Sequence, residues 1–299
     1  MHIHRSADEF VVHAPAKVNL FFEVLGKRDD GYHEIETLMC PIDLYDTLYF
    51  QEEPNGQLEL TCGRVSGRHD VQDGEIPQGP ENLVWRAVDS LRRRAGVTSG
   101  ARLRLVKRIP AAAGLGGGSS DAAAALMLAN LGWNLNWSPQ QLHGLAAELG
   151  SDVPFFLLGR PAVCRGRGEL VDEVAGIGPL HLVLVRPPAG LATAAVYGAC
   201  RPAACPNPLT PLLEALERGD LRASGRLLFN RLQPAAESLS PWIERLRREF
   251  EGTDCLGHGM SGSGTSYYGL CRHARHARRI ARRLAANGRG SVFVVRSCR

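Results

Sequence analysis

The segment Pro110-Ala-Ala-Ala-Gly-Leu-Gly-Gly-Gly-Ser-Ser-Asp121 constrains this chain more than any other. It places four glycines and two serines between a half-exposed strand pattern, Ala101 to Val106, and an alanine-rich helical stretch from about Ser119 to Leu131. Glycines permit positive φ and let an anion approach the backbone amides with no Cβ in the way. The helix that follows offers unpaired N–H groups and the positive end of its dipole. A strand, a glycine loop and a helix start in that order make a phosphate cradle. Ser119 and Ser120 add hydroxyls for phosphate oxygens or for a magnesium ion. A plainer reading is a glycine turn capping a helix, with Ser119 or Ser120 as N-cap and Asp121 in the first turn. Three successive glycines followed by two serines favour the anion. The loop matches neither Walker A nor the dinucleotide fingerprint, because counting from Gly114 both require glycine where Ser119 stands.

The rest of the chain mixes strands and helices without strict alternation. Phe10–Ala14 and Val18–Leu25, separated by Pro15, read as strands. A turn follows at 26–31, then a strand from Ile35 to Phe50, and a polar, glycine-containing loop from Gly63 to Pro80. Leu83, Val84, Ala87, Val88 and Leu91 recur at helical spacing. Ser138 as N-cap, Pro139 at the first helical position and Gly150 past the end delimit another helix. Strands are expected at Ala162–Val171, His181–Arg186, 266–271 and Ser291–Arg296, and helices at 210–218, 220–229 and 240–250. An arginine-rich helix precedes the last strand. The pattern predicts an α+β chain of two lobes.

Composition excludes several classes. The 299 residues are 44% hydrophobic and 22% charged, which suits a folded globular chain. No apolar run approaches the roughly 20 residues of a membrane span; the longest, Ala122 to Trp133, contains Asn130. The first ten residues hold no apolar signal core, so a cytoplasmic protein with no membrane partner is expected. The net charge is +4, and the arginines at 92–94 and 272–283 read as solvated helix faces, so no nucleic-acid partner is expected. The eight cysteines form no C-x-x-C pair and no zinc spacing with histidine, so reduced thiols are expected. His2 and His4 at the terminus do not make a metal cage.

Pro110 to Asp121 resembles the ATP-binding loop of the GHMP kinases, the superfamily of galactokinase, homoserine kinase and mevalonate kinase. Two further segments fall in that family's order: Ala14-Pro-Ala-Lys-Val-Asn-Leu20 and Gly259-Met-Ser-Gly-Ser-Gly-Thr265. Asp30-Gly-Tyr-His-Glu-Ile-Glu-Thr-Leu38 and Gly150-Ser-Asp-Val-Pro-Phe-Phe156 resemble one branch of it, whose alcohol substrate carries a cytidine diphosphate group. The resemblance implies an N-terminal α+β lobe over 1–163, with the ATP loop and the catalytic residues, and an α/β C-terminal lobe over 164–299. It also implies an active site in the cleft, and phosphoryl transfer from ATP to the tertiary C2 hydroxyl of a methylerythritol moiety. The cellular role it implies is the non-mevalonate route to isoprenoid precursors.

Roles follow from the same resemblance. Lys17 and Asp152 match the catalytic pair, Asp152 taking or orienting the hydroxyl proton and Lys17 offsetting charge on the γ-phosphate. Read alone, Lys17 is a solvated strand residue and Asp152 a helix-end cap. Asn19, Tyr32, His33 and Tyr197 would serve the cytidine, which offers an aromatic face and a hydrogen-bonding edge; Thr193 would serve the diphosphate. ATP would be held by Pro110, Ala111, Ala112, Ala113, Gly114, Leu115, Gly116, Gly117, Gly118, Ser119 and Ser120. Asn82 and Leu83 would lie on its adenine side, and Lys107 would reach base or phosphate. Magnesium would arrive on ATP, since no acidic residue stands out as its ligand. The chain departs from the family at Asn230-Arg-Leu-Gln233, where Asn-Asp-Leu-Glu is common, and Arg231 there would add positive charge near a diphosphate. Another small-alcohol kinase, a non-catalytic nucleotide-binding module and a nucleic-acid binder are the competing readings.

Overall fold

A computed structural model describes residues 1–6, 9–65 and 75–298. The expected 63–80 loop therefore lies partly outside the described residues. The chain runs β1 (His2–Ser6), β2 (Glu9–Lys27), β3 (His33–Glu53), β4 (Leu58–Arg64), α1 (Leu83–Ala95), β5 (Gly100–Lys107), α2 (Gly117–Gly132), α3 (Pro139–Leu149) and α4 (Val153–Leu158). It continues through β6 (Ala162–Gly166), β7 (Leu170–Glu173), β8 (His181–Arg186), α5 (Thr193–Ala199), α6 (Thr210–Glu217), α7 (Leu221–Arg226), β9 (Phe229–Asn230) and α8 (Gln233–Leu239). The last elements are α9 (Pro241–Glu251), β10 (Gly257–Met260), β11 (Tyr267–Cys271), α10 (Ala274–Ala286) and β12 (Ser291–Arg296). The α+β class expected from the sequence is what these elements form. Among the described residues no helix is long and apolar enough to cross a membrane, and all eight cysteines are free.

Two compact units share the chain, one of residues 1–16, 44–111 and 116–159, the other of 17–43, 112–115 and 160–299. In the first, β1 pairs antiparallel with the start of β2, the end of β3 pairs antiparallel with β5, and β5 pairs parallel with β4. The helix between β4 and β5 supplies the crossover that a parallel pair requires. Helix α2 is buried on nearly every side from Ser120 to Gly132. Its alanines allow close approach, and a Cβ on Gly132 would meet the Phe50 ring at 2.2 Å. Helix α3 carries the expected cap, Ser138 exchanging hydrogen bonds with Gln141.

In the second unit, β10-β11-β8-β12 form an antiparallel sheet. Phe22, Val183, Val185, Ile243, Leu246, Phe250, Tyr267 and Ile280 belong to its core. The start of β3 pairs with β6, and β9 pairs parallel with β2 at Phe21–Phe22.

Several expectations change. Pro15 does not split β2. The β1 pairing of β2 stops at His13 and the β9 pairing starts at Phe21, so Pro15 falls in the interval, where a missing N–H costs least. The expected strand Ala162–Val171 is a hairpin, reversed at Gly166 (φ +71°) and Gly168 (φ +118°). The helix expected over 220–229 ends at Arg226, since Phe229 pairs with β2 and lies 5.8 Å from the Phe21 ring. Helices α4, α5 and α8 are too short to show a period in the sequence.

Candidate active site

In the second unit, Lys17 is buried on β2, and its Nζ donates to Asn19 Oδ1. The two residues lie two apart on a strand and so share a face. Asn19 is held on every side: Nδ2 donates to Thr37 Oγ1 at 2.8 Å, the amide to Ser261 Oγ at 3.3 Å, and its carbonyl accepts from the Tyr268 hydroxyl at 2.9 Å. Residues 112–115 of the first glycine segment belong to this unit as well. Leu115 O accepts from the Lys17 amide, Ala113 O from the Ser266 amide, and Gly114 O from Ser261 Oγ, each within 3.1 Å. The second glycine segment closes over the pair, where a Cβ on Gly262 (φ +56°) would stand 3.1 Å from Lys17 Nζ and 3.2 Å from Asn19 Oδ1. Both glycine segments thus pack on one buried Lys–Asn pair. Asn19, expected on the cytidine side, is bonded to Lys17.

The aromatic residues expected for a pyrimidine gather in the same unit. The His33 and Tyr197 rings lie 5.1 Å apart, with Phe22 edge-on to Tyr197. Tyr32 is half exposed, and the Arg167 guanidinium covers its ring at 4.8 Å. Burial, and then the charge of Lys27, hold the His33 pKa below its usual value, which favours the neutral ring with its one donor and one acceptor. Thr193 opens α5 and its Oγ1 lies 3.0 Å from Ser263 Oγ. Tyr197 follows four residues later on the same helical face. Arg231 is already paired: its guanidinium forks onto the buried Glu23 carboxylate at 2.7 and 2.9 Å, so it does not supply the spare charge expected of it.

The first unit holds the helix start. Gly116, at φ +69°, is the N-cap of α2 and has no side chain to cap with. The N-cap is therefore neither Ser119 nor Ser120, because the residue before the helix adopts a left-handed conformation that glycine takes without strain. Gly117, Gly118 and Ser119 begin the helix, and their amides have no helical acceptor. Ser120 Oγ and Asp121 Oδ1 are buried with no hydrogen-bond partner. Pro110 and Ala111 precede the loop, in which Ala112 also has positive φ (+47°).

Lys107 Nζ lies between the Asp46 and Asp121 carboxylates, with Asp121 Oδ2 at 2.6 Å. Burial would depress its pKa, but the two carboxylates raise it overall. A Cβ on Gly117 would be 3.2 Å from that ammonium, so the charge sits against the first residue of α2. Asn82 caps α1, accepting from the Val84 amide and donating to Pro77 O, and Leu83 Cδ1 reaches within 3.7 Å of a Cβ built on Gly118. Asp152 immediately precedes α4, and its carboxylate does not cap that helix. Among the described residues, no three His, Cys, Asp or Glu side chains gather to hold a metal ion.

Asp46, Thr37, Ser261 and Asn230 take part in these networks without having been singled out. Ser261 lay inside a motif and Asn230 inside a departing segment, whereas Asp46 was one acid in a strand and carried no signal.

A glycine loop opens the buried helix α2 in the first unit, and in the second a buried lysine packs against a second glycine segment. The model of the GHMP kinases N terminal domain matches residues 82–160, and that of the GHMP kinases C terminal region matches 212–290. A 4-diphosphocytidyl-2-C-methyl-D-erythritol kinase of Pelotomaculum thermopropionicum is 43% identical over 90% of this chain and 92% of its own. One of Shouchella clausii is 37% identical over 91% and 89%. A crystal structure of 4-(cytidine 5'-diphospho)-2C-methyl-D-erythritol kinase superposes with a TM-score of 0.80 at 37% identity, covering 96% of this chain and 98% of that one. The chain belongs to the 4-diphosphocytidyl-2-C-methyl-D-erythritol kinase family of the GHMP kinases.

Proposed function

We propose that this small-molecule kinase transfers the γ-phosphoryl group of ATP to the C2 hydroxyl of 4-diphosphocytidyl-2-C-methyl-D-erythritol. The products are the 2-phosphate and ADP, in the methylerythritol phosphate route to isoprenoid precursors. Its family relatives carry that substrate in their names. The observation that carries the reading within the fold is the buried Lys17, braced by both glycine segments. Phosphoryl transfer asks mainly for positioning and charge compensation, and a buried ammonium held on Asn19 beside the second glycine segment meets both needs.

In this reading the hydroxyl oxygen attacks the γ-phosphorus, the bond to the β-bridging oxygen breaks, and the hydroxyl proton passes to the Asp152 carboxylate. Lys17 balances charge on the transferring group and is itself oriented by Asn19. The α2 amides of Gly117, Gly118 and Ser119 receive phosphate oxygens, and the orphaned Ser120 Oγ and Asp121 Oδ1 suit a polar or cationic neighbour. Magnesium, arriving on ATP, would supply further charge compensation to the phosphates when bound. Asn82, Leu83 and Lys107 stand on the nucleotide side. His33 offers the cytosine edge a single donor or acceptor from one ring nitrogen, Tyr197 and Tyr32 give aromatic faces, and Thr193 meets the diphosphate. The division at 163/164 and a cytoplasmic location belong to the same reading.

The test is ADP release from Mg-ATP with three acceptors in parallel: 4-diphosphocytidyl-2-C-methylerythritol, mevalonate and homoserine. Turnover of the first alone, abolished in Asp152→Ala, is the expected result. Turnover of another alcohol overturns the cytidine pocket, and ATP binding without any turnover overturns catalysis.

A further inference from the structure

The segment Asn230-Arg-Leu-Gln233 departs from the family pattern, yet two of its side chains grip the second glycine segment. Asn230 is buried, and its Nδ2 donates to both Met260 O and Gly262 O at 2.8 Å. Its Oδ1 accepts from the Leu232 amide at 2.9 Å, so both ends of the amide are used and its orientation is determined. Gln233 Oε1 accepts from the Met260 amide at 3.2 Å, while Nε2 donates to Glu237 and the Tyr267 hydroxyl. The clamped residues are those over the Lys–Asn pair. Gly262 leaves 3.1 Å between its would-be Cβ and Lys17 Nζ, and Ser261 ties Gly114 O to the Asn19 amide.

We propose that Asn230 and Gln233 are positioning residues for phosphoryl transfer, fixing the 260–262 backbone so that Lys17 Nζ is held on Asn19 and aimed at the transferring group. The inference rests on the proposed role of Lys17. Neither residue touches substrate. A carboxylate at 230 would keep the bond to the Leu232 amide, but it would set oxygen against the Met260 and Gly262 carbonyls. The glycine segment would then move away from Lys17.

The test compares Asn230→Asp, Gln233→Met and Lys17→Met with the wild type. The readouts are kcat, KM for both substrates, thermal stability, and the side-chain ¹⁵Nζ resonance of Lys17 in lysine-labelled protein, assigned by its loss in Lys17→Met. A displacement near 1 Å costs about 10²-fold in rate, so Asn230→Asp is expected to lower kcat by about that factor. KM is expected to stay near wild type and the Lys17 resonance to move. Gln233→Met, which removes the Met260 link together with the Nε2 bonds to Glu237 and Tyr267, is expected to do the same to a lesser degree, and it decides the matter if Asn230→Asp does not fold. Wild-type kcat, or a loss of rate with the Lys17 resonance unmoved, overturns the inference. Full activity in Lys17→Met instead overturns the role of Lys17 itself, which separates the two failures.

Discussion

Replacing Gly114 by alanine tests whether the two glycine segments are locked together. Gly114 stands at φ +72°, a left-handed conformation that costs an L residue about 1–2 kcal/mol. The new Cβ would lie 2.1 Å from the Ser261 carbonyl oxygen and 3.0 Å from that of Gly264. Both are backbone atoms, so neither can swing aside as a flexible side chain would. Relief requires the 261–264 backbone to retreat, at the roughly 1–3 kcal/mol typical of overpacking. The sum, about 2–5 kcal/mol, is a large part of an ordinary domain's stability. The same retreat pulls Ser261 Oγ off Gly114 O and Gly262 off Lys17, so kcat is expected to fall about 10²-fold. Urea unfolding should show a lower midpoint at unchanged slope. Gly118→Ala is the control for stability, because its Cβ meets nothing closer than Leu83 Cδ1 at 3.7 Å. Inside a helix, alanine is favoured over glycine by about 1 kcal/mol, so that variant should fold at least as well as wild type. A Gly114→Ala protein with the wild-type midpoint and wild-type kcat refutes the reasoning.

Burial, with a contribution from Asp46 and against the pull of Lys107, raises the Asp121 pKa from 3.8 to about 7. Between those values the folded state keeps a proton that the unfolded chain has released, so stability falls as pH rises from about 4 to 7. Asp121→Asn should flatten that slope in urea titrations at several pH values, and an unchanged slope counts against it. Arg231→Ala leaves the Glu23 carboxylate, whose side chain has 0% exposure, with its Val24 and Asn207 donors but no counter-charge, and should cost up to about 3–5 kcal/mol; a loss below about 1 kcal/mol would show the pair to be as weak as a surface ion pair. Tyr197→Ala removes the ring 5.1 Å from His33 and should raise KM for the cytidylyl acceptor by up to about tenfold, from the ~0.5–1.5 kcal/mol of an aromatic pair. KM for ATP should not change, and an equal rise in both would argue that the ring is only structural.

The helices with a strong period or clear punctuation, α1, α3 and α9, were legible because their signals lie within one or two turns. The hairpin at 162–173 was not. Its strands of five and four residues leave no room for alternation to register, and only the positive φ of Gly166 and Gly168 reverses the chain. Lys107 shows the same limit at the site. Its place at the strand end was readable, but its two carboxylate partners were not, because Asp46 is 61 positions away. Arg231 looked like spare charge until the fold brought Glu23 to it from 208 positions away.

The sequence alone determined that a glycine loop opens a helix, that the chain mixes strands and helices, and which residues resemble a kinase's working set. These are local properties, settled by φ preferences, side-chain period and short motifs over a few neighbouring residues. Only the tertiary structure decided that Lys17 rests on Asn19 under two glycine segments, that Asn230 grips the second of them, and that His33 and Tyr197 stand together. Those arrangements depend on where distant stretches of backbone meet, and burial there makes each polar group find a partner that no local pattern names.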